Sequence, residues 1–455
     1  MKTKTFNLLL AGMLVLTAFA SPASAQTTIR IVASNGDRTA TQTAISKLLS
    51  SWVYRGVGGT ADSGTPSTLS VATGSNFGAW NGTYNASPVI IKVSYSGALA
   101  GIAAVAGAID QRFVATDGTG SGGVNNPLTS SNPADYEVAK ADFGFSTNFQ
   151  STSPFHGLFQ GNTYSQLVEE IVGITPLGFY ASPGFPGSPS SSNPSFVPNI
   201  TTQLARQLYT QGAVSLALFT GDWATDKNKM VYALGRNTDA GQRYGAHTEI
   251  GLGTTTQVRQ WFPAVSGTTT GAGNIVYGGV ASSHELWPVA QQPGTFAVPL
   301  ASGGYSSGAL VAQNLTVTLD VNAYKSQYFD ADTNQNLFLY PNATAGYYIG
   351  YVTPGDAANR ILGGNGVVPA ASRGVALSFN GVANTTANVK NGSYTAWVYN
   401  RILKPQSGLS GNKLTFANAL RDQIKDVDAP SGGGLFDDAT VFVRRLTDGG
   451  AVVPK

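Results

Sequence analysis

One segment of the sequence has the spacing that can hold a serine nucleophile on a sharp turn. Residues 304–308, Gly-Tyr-Ser-Ser-Gly, match G-x-S-x-G, in which flanking glycines let the chain turn tightly around an exposed Ser306. That chemistry also requires an acid and then a histidine later in the chain, because the histidine takes the serine proton. The last histidine, His284, precedes the motif. A secreted serine hydrolase using His284 and Glu285 therefore stays a second alternative, and residues 304–308 are interpreted as a Gly/Ser loop that could lie beside a cleft.

Two other segments have part of the spacing of a ligand-binding loop. Residues 118–123 match G-x-G-x-x-G, but Val124-Asn125-Asn126-Pro127 follows where a phosphate-binding loop needs a helix. Residues 330–336 place oxygen-bearing side chains as in a calcium loop, but Gln335 replaces the turn glycine and Pro341 replaces the bidentate glutamate. We therefore predict a flexible loop and a solvated Asx-rich turn, and we expect neither a cofactor nor a metal site.

The composition excludes several classes of function. The chain has 455 residues, no cysteine and three histidines, which excludes a thiolate nucleophile and leaves little room for a metal cluster. His156 and His247 are interpreted as surface or cap residues. A net charge of +3 provides no basic stripe for nucleic acid. With 42% hydrophobic residues the chain can form real cores, so a disordered chain is excluded.

The first 25 residues have the layout of a secretory signal peptide. Lys2 and Lys4 precede the apolar run 8–16, and Ala23-Ser24-Ala25 forms a small-residue cleavage site. The apolar run is too short for a membrane anchor, which needs roughly 20 apolar residues. We therefore predict cleavage near Ala25, a periplasmic or extracellular location, and no membrane span in the remaining chain.

Repeated strand, turn and helix patterns predict a parallel α/β sheet. The apolar runs 28–33 and 88–93 each end in a turn and precede apolar residues at helical spacing. Residues 141–146 are predicted to form a third, short strand. The two helical faces consist of Ile45, Leu48, Leu49 and Trp52, and of Leu99, Ile102, Ala106 and Ile109. Ligand sites in such sheets lie where strand carboxyl ends meet helix amino ends, so we expect a site at these turns.

Polar loops separate these units from a second α/β region. The stretches 117–133 and 182–198 are rich in Gly, Ser and Asn, and the prolines of the second prevent regular structure. The other predicted elements are the α/β region 201–258, strands over 315–319, 346–352 and 439–445, and a helix over 414–424.

Four sets of residues, in chain order, match the motifs of one family. Residues 141–146, Ala-Asp-Phe-Gly-Phe-Ser, match a DFGASD strand, and residues 199–204 match an NLTxxQL segment. Residues 232–243 match VxRxxxSGTR, while 348–352 and 391–394 match an IGY strand and a dGtYP segment. With these motifs the chain resembles the phosphate-binding proteins of ABC transporters, a family of type II periplasmic binding proteins.

The resemblance implies an α/β fold with two lobes joined by a hinge of two crossing strands. It implies a first lobe in residues 26–178, a second lobe in 179–345, and a return to the first lobe with a C-terminal segment in 346–455. An oxyanion such as phosphate would lie in the cleft between the lobes, and an ABC permease would be the partner. No enzymatic activity is implied.

The resemblance also implies a set of ligand-binding residues. Arg236 would supply a planar, bidentate positive charge to the oxyanion. Gly97 and Gly241 would allow close approach of the backbone, beside helix N-termini that present N–H groups to an anion. The full implied set is Ser34, Ser96, Gly97, Ser146, Thr147, Arg236, Gly241 and Gln242.

Several positions depart from the family motifs. The serine and threonine of SGT fall on Ala240 and Gln242, which removes two hydroxyl donors. The closing aspartate of DFGASD falls on Thr147, although in the family that carboxylate accepts the proton of hydrogen phosphate. Asp37 or Asp239 could restore this function by reaching into the cleft, but Asp239 is expected to cap the helix that follows it. We therefore predict weak discrimination between phosphate and sulfate.

The sequence thus favours a secreted or periplasmic protein that binds an oxyanion and performs no catalysis. A structural or interaction protein that keeps the scaffold without a ligand site is the first alternative. The serine hydrolase is the second. The three differ in what they predict: stabilisation by an anion, no response to any anion, or reaction with a serine-directed reagent.

Overall fold

The computed structural model describes residues 26–57, 68–119, 125–253, 256–265, 277–287, 303–364, 366–432 and 435–455. The predicted signal peptide, residues 1–25, and most of the 118–123 motif lie outside this part of the chain. Among the described residues, none of the helices combines the length and the apolar character needed to cross a membrane.

The elements are numbered in chain order. The strands are β1 Thr27–Val32, β2 Ser50–Val57, β3 Phe77–Tyr84, β4 Ser87–Ser94, β5 Asp110–Val114, β6 Tyr136–Lys140, β7 Phe143–Ser146, β8 Gly157–Phe159, β9 Asn162–Tyr164, β10 Leu167–Pro176, β11 Gly178–Ala181, β12 Asn199–Ile200, β13 Ala213–Ser215, β14 Lys229–Ala233, β15 Trp261–Val265, β16 Val280–Leu286, β17 Thr318–Leu319, β18 Gln327–Asp330, β19 Gln335–Phe338, β20 Ala345–Val352, β21 Val375–Phe379, β22 Trp397–Pro405, β23 Val443–Arg444 and β24 Val453–Pro454. The α-helices are α1 Arg38–Leu48, α2 Leu69–Gly74, α3 Ala98–Ala106, α4 Thr202–Gln211, α5 Ala217–Thr220, α6 Trp223–Asp226, α7 Gly241–Glu249, α8 Gly308–Asn314, α9 Val321–Tyr324, α10 Pro354–Arg360, α11 Thr386–Lys390 and α12 Gly411–Asp422. Short 3₁₀ turns lie at Pro133–Asp135, Gln150–Thr152, Ala370–Ser372 and Asp438–Thr440, and α12 continues as a π-helix over Gln423–Asp428.

The first lobe is built on a seven-stranded sheet with the order β10-β22-β7-β1-β4-β3-β2. At its centre β1 pairs in parallel with both β4 and β7, as predicted from the three apolar runs. These strands are almost continuously apolar because helices cover parallel strands on both faces. Trp80 and Ile91, both fully buried, belong to the core of this lobe.

The second lobe is built on a six-stranded sheet with the order β12-β21-β11-β20-β14-β13. Its central strand β20 is parallel to β14 and antiparallel to β11. One core of this lobe contains Ile349 and Tyr351, and a second core, on the other face, contains Tyr348 and Val352, so the alternate residues of β20 serve both. The stretch 182–198 contains neither helix nor strand, as predicted from its prolines.

The chain passes between the lobes twice. Strand β10 of the first sheet is followed by β11 of the second sheet with only Leu177 between them. The return lies between β21 and β22, so it comes later in the chain than the predicted position 346, and β20 belongs to the second sheet. The two crossings contact each other, since the Leu177 N–H donates to the Ala396 carbonyl at 2.8 Å. The predicted two-lobed α/β fold with two crossing strands is confirmed.

Some predicted boundaries are wrong. The helical face that began at Ile45 ends at Leu48, because the chain turns into β2 and places Trp52 on a strand. Residues 315–319 form only a two-residue strand after α8, and 439–445 contain only the short β23. Each of these short apolar stretches packs by tertiary contacts that local spacing does not reveal. The predicted helix at 414–424 is confirmed as part of α12 and its π-helical extension.

Candidate functional site

A small cavity lies between the lobes, and three chain segments line it. Its volume is about 10 Å³, on the order of the space that one water-sized particle needs. Only a group of a few atoms fits in this cavity. The lining residues are Ser34, Asn35, Gly36, Ser96, Gly97, Ala98, Arg236, Asn237, Ala240, Gly241 and Gln242.

The topology of the two sheets explains why these segments meet. Strands β1 and β4 are parallel neighbours, so the turns that follow them, with Ser34 and Ser96, leave the same edge of the first sheet. The turn after β4 leads into helix α3, and the segment after β14 of the second lobe leads into α7. The amino ends of two helices therefore face the cavity from opposite lobes, where helix dipoles and first-turn N–H groups favour an anion.

The lobes touch each other beside the cavity. The N–H of Ala98 in α3 donates to the carbonyl of Asp239 in the second lobe at 3.0 Å. Gly97 has φ +152°, and a Cβ there would lie 2.7 Å from the Asp239 Cβ. A Cβ on Gly241 would lie 1.7 Å from Thr147 Oγ1. Both positions therefore need glycine for the lobes to approach this closely.

Arg236 is the buried cation of the site. Its side chain donates from Nε to the Tyr305 carbonyl at 3.1 Å, from Nη1 to Gln242 Oε1 at 2.7 Å, and from Nη2 to the Ser306 carbonyl at 3.1 Å. Burial lowers the pKa of Arg236 to about 10, so the guanidinium is protonated at neutral pH. A guanidinium has five N–H groups, which leaves donors for a ligand in the cavity.

Several buried polar atoms around the cavity have no hydrogen-bond partner within the described part of the chain. They come from both lobes and include three hydroxyl groups. The atoms are Asn35 Oδ1, Ser96 Oγ, Thr147 Oγ1, Asn237 Oδ1 and Thr238 Oγ1. Buried polar groups are nearly always satisfied, and each exception calls for a ligand or water. The three hydroxyl groups can donate to an oxyanion, whereas the two amide oxygens can only accept hydrogen bonds.

Six of the eight residues implied by the sequence resemblance line the cavity: Ser34, Ser96, Gly97, Arg236, Gly241 and Gln242. The other two, Ser146 and Thr147, are buried behind them. Ser146 Oγ accepts from the Asn148 N–H at 3.0 Å, and Ser34 Oγ accepts from the Gly36 N–H at 3.0 Å, so both hydroxyl groups stabilise turns. Each still has a proton to donate.

Sequence reasoning missed the other lining residues, which are Asn35, Gly36, Ala98, Asn237 and Ala240. All of them are neighbours of predicted site residues in the same three segments. The turn signal Asn35-Gly36 was visible in the sequence, whereas Ala98 and Ala240 have no polar side chain that could have marked them. Ala240 is the N-cap of α7, so the expectation that Asp239 is the capping residue is wrong.

No carboxylate lines the cavity among the described residues. Asp37 lies in the loop after β1 but behind the lining, where Asn400 Nδ2 on β22 donates to its Oδ1 at 2.6 Å. Burial raises the pKa of Asp37 to about 7, while the bond from Asn400 and the charge of Arg401 limit the rise. The proton-reading carboxylate of the family therefore has no counterpart in the lining.

Among the described residues, the hydrogen bonds of Ser306 and His284 do not join the two residues as a hydrolase would require. The Ser306 carbonyl accepts from Arg236, and the Ser307 side chain caps helix α8 by accepting from the Leu310 N–H at 3.1 Å. The ring nitrogens of His284 contact Tyr348 Oη at 3.1 Å and Ser326 Oγ at 2.6 Å instead. The interpretation of 304–308 as a loop beside the cleft agrees with this geometry, since Ser307 and Gly308 line the wider cleft outside the cavity.

The structure also describes the turn at residues 330–336 and the surroundings of His247, both of which the sequence analysis interpreted. Residues 330–336 form a hairpin turn in which the Asp330 side chain accepts from the Asp332 N–H at 3.1 Å, as expected for an Asx-rich turn. Within the described ranges, no group of three potential metal-binding side chains is present.

The interpretation of His247 as a surface or cap residue is wrong. The side chain is 3% exposed and packs against the rings of Tyr209 and Tyr351. Burial lowers the pKa of His247 well below its usual value, so the ring is neutral.

Comparison with known proteins finds distant similarity to phosphate-binding proteins. No protein-family model and no curated protein matches the chain. A protein assigned as a phosphate ABC transporter substrate-binding protein with bound phosphate, from Clostridium perfringens, is 11% identical, with a TM-score of 0.40 over 90% of this chain and 99% of that chain. An ABC-type phosphate transport receptor from Vibrio cholerae is 11% identical, with a TM-score of 0.37 over 90% and 99%. A possible phosphate binding protein from Planctomyces limnophilus is 10% identical, with a TM-score of 0.36 over 90% of each chain.

The chain is similar to these proteins at low sequence identity. Similarity this distant assigns no role to any residue. The two-lobed fold follows from the strand orders of the two sheets, and the properties of the site follow from its own geometry.

Proposed function

We propose that this protein binds a small oxyanion such as phosphate in the cavity between its lobes, outside the inner membrane, as the substrate-binding partner of an ABC permease. The observation that carries the proposal is the set of donors that line one small cavity: the buried Arg236, the amino ends of α3 and α7, and the Ser96 hydroxyl group, which has no hydrogen-bond partner among the described residues. The signal-peptide layout of residues 1–25 supports the location.

The chemistry of the lining favours an anion over other ligands. The buried guanidinium of Arg236 would repel a cation, and no carboxylate among the described residues lines the cavity to compensate that charge. An anion in this place would offset the cost of burying Arg236 and would accept hydrogen bonds from groups of both lobes. Because Ala98 and Asp239 already join the lobes beside the cavity, a bound anion would stabilise the arrangement that the structure shows.

The proposal is tested by measuring the melting temperature with phosphate, arsenate, sulfate and chloride at equal ionic strength. A ligand that binds only the folded state raises stability by RT ln(1 + [L]/Kd), so tetrahedral oxyanions should raise the melting temperature and chloride should not. Isothermal calorimetry then gives the affinity. If no oxyanion changes the melting temperature at millimolar concentration, the proposal is wrong and the scaffold alternative gains support.

A further inference from the structure

A second and much larger cavity adjoins the small one. Its volume is about 390 Å³, and four residues line both cavities: Asn35, Gly36, Arg236 and Gln242. The two cavities therefore meet at the side chains of Arg236 and Gln242, which line both. A group attached to an anion in the small cavity would extend past Gln242 into this outer cleft.

Residues of both lobes form the walls of the outer cleft. Arg38, the first residue of α1, belongs to the first lobe, while the amino ends of α8 and α10 belong to the second lobe. The second-lobe wall is closely packed: a Cβ on Gly308 would lie 2.5 Å from Asp356 Oδ2 and 2.9 Å from Gln242 Oε1. Gln242 therefore stands between the two cavities and contacts the wall of the outer one.

The charge of the outer cleft is positive. Its lining contains the three arginines Arg38, Arg236 and Arg360 and one carboxylate, Asp356. Asp356 Oδ1 is paired with Arg360 Nη1 at 3.5 Å, which compensates its charge in part. If the anion in the small cavity carried a second negative group, that group would be attracted into this cleft.

Arg38 has an unused donor at this wall. Its Nη1 donates to Asn76 Oδ1, but its buried Nε has no partner within the described residues. An unsatisfied buried donor on a charged group is costly, so a ligand acceptor placed beside it would gain a charge-assisted hydrogen bond. Arg38 thus provides a positive charge on the wall of the first lobe, on the lobe opposite Arg360.

From these observations we infer that the ligand is a substituted phosphate or phosphonate, whose phosphoryl group occupies the small cavity and whose substituent carries a second negative group into the outer cleft beside Arg38. This inference rests on the proposed function, because it places the phosphoryl group in the same cavity. It narrows the ligand class from any tetrahedral oxyanion to one that bears an acidic substituent.

Calorimetry at pH 7.5 with three probes tests the inference: inorganic phosphate, methyl phosphate and phosphonoacetate. The affinity of methyl phosphate shows whether the site tolerates a substituent on the phosphoryl group. The affinity of phosphonoacetate shows the effect of a second negative group on that substituent. We expect methyl phosphate to bind within about fivefold of phosphate and phosphonoacetate to bind at least tenfold more tightly than methyl phosphate, a difference of about 1.4 kcal/mol.

Two variants and one control variant test whether the acidic substituent lies in the outer cleft. Arg38→Gln should remove the preference for phosphonoacetate and leave phosphate affinity within about threefold, whereas Arg112→Gln, whose arginine lines neither cavity, should change nothing. Ala309→Phe, at the wall of the outer cleft, should weaken phosphonoacetate at least tenfold and leave phosphate nearly unchanged.

The outcomes separate the two proposals. If phosphate binds but both substituted probes bind at least tenfold more weakly, the inference is wrong and the proposed function stands. If phosphonoacetate is preferred but Ala309→Phe and Arg38→Gln leave the preference intact, the substituent does not lie in this cleft and the inference is also wrong. If none of the three probes binds, the inference is wrong, and the proposed function is wrong as well when no oxyanion raises the melting temperature.

Discussion

The backbone N–H of Ala98, at the start of a helix in the first lobe, donates at 3.0 Å to the carbonyl oxygen of Asp239 in the second lobe. This bond joins the lobes beside the small cavity, where the residues from each side approach to backbone contact. The two glycines Gly97 and Gly241 make the approach possible, because a side chain on either one would overlap the opposite lobe. The proposed anion binding would therefore be coupled to this contact between the lobes.

The first prediction concerns Gly241. Gly241→Val would place a Cβ 1.7 Å from Thr147 Oγ1 and 2.8 Å from the Ala98 Cβ, so the lobes could not close as observed. We expect phosphate affinity measured by calorimetry to fall at least a hundredfold, since the donors of the two lobes would no longer converge. Gly355→Ala is the matched control, because a Cβ there has no atom within 4 Å. Equal affinity of Gly241→Val and wild type would show that closure at this point is not needed for binding.

The second prediction concerns Arg236. Arg236→Ala should abolish the stabilisation by phosphate, because the guanidinium is the buried cation of the cavity. The variant should also unfold more easily without ligand by about 1–3 kcal/mol, since the Gln242 side chain and the Tyr305 and Ser306 carbonyls lose their donor. Thermal melts with and without phosphate separate the two effects.

Arg236→Lys serves as the conservative comparison for that experiment. Lysine keeps the charge but lacks the planar fork, so we expect phosphate binding weaker than in wild type yet detectable. Full phosphate stabilisation in Arg236→Ala would mean that the anion binds elsewhere.

The third prediction concerns selectivity. A carboxylate that accepts the proton of hydrogen phosphate repels sulfate, which has no proton at neutral pH, but no carboxylate lines this cavity among the described residues. We therefore expect phosphate and sulfate affinities at pH 7.5 to differ by less than a hundredfold, or about 2.7 kcal/mol. Calorimetry with both anions measures the ratio. Tight phosphate binding with sulfate excluded by more than this factor would contradict the expectation and point to Asp37 or Asp239 as the reading group.

The fourth prediction concerns the pH dependence of stability. The carboxyl of Asp37 has a pKa of about 7 in the folded protein, against an ordinary value of 3.8, because it is buried. Between these two pKa values the folded state binds more protons than the unfolded state, so this group makes the free energy of unfolding fall as pH rises from about 4 to about 7. Asp37→Asn should remove that fall, which amounts to at most about 4 kcal/mol.

Denaturant unfolding across pH 4–8 measures this difference. The free energy of unfolding of wild type relative to Asp37→Asn should decrease from about pH 4 to about pH 7 and then level off. Asp426→Asn, which changes an exposed carboxyl, controls for the general effect of charge. Parallel curves for wild type and Asp37→Asn would show that Asp37 does not titrate as described.

Much of the fold could be predicted from the sequence because its elements carry local signals. The apolar runs at 28–33, 88–93 and 141–146 became β1, β4 and β7, and helix α3 begins where apolar residues at helical spacing follow Gly97. Long apolar runs bounded by turns identify buried parallel strands without any knowledge of their neighbours. The return crossing between β21 and β22 was misplaced, because sheet membership depends on pairing between distant strands.

For the site, the sequence by itself determined which residue types are available: an arginine, two glycines and several hydroxyl groups, each in a segment of its own. Only the tertiary structure decided that Ser34, Ser96 and Arg236 share one cavity while Ser146 and Thr147 lie behind it. The raised pKa of Asp37 and the connection to the outer cleft were likewise decided there. Burial, convergence and cavity shape arise from contacts between segments far apart in the chain, and no local pattern of residues encodes them.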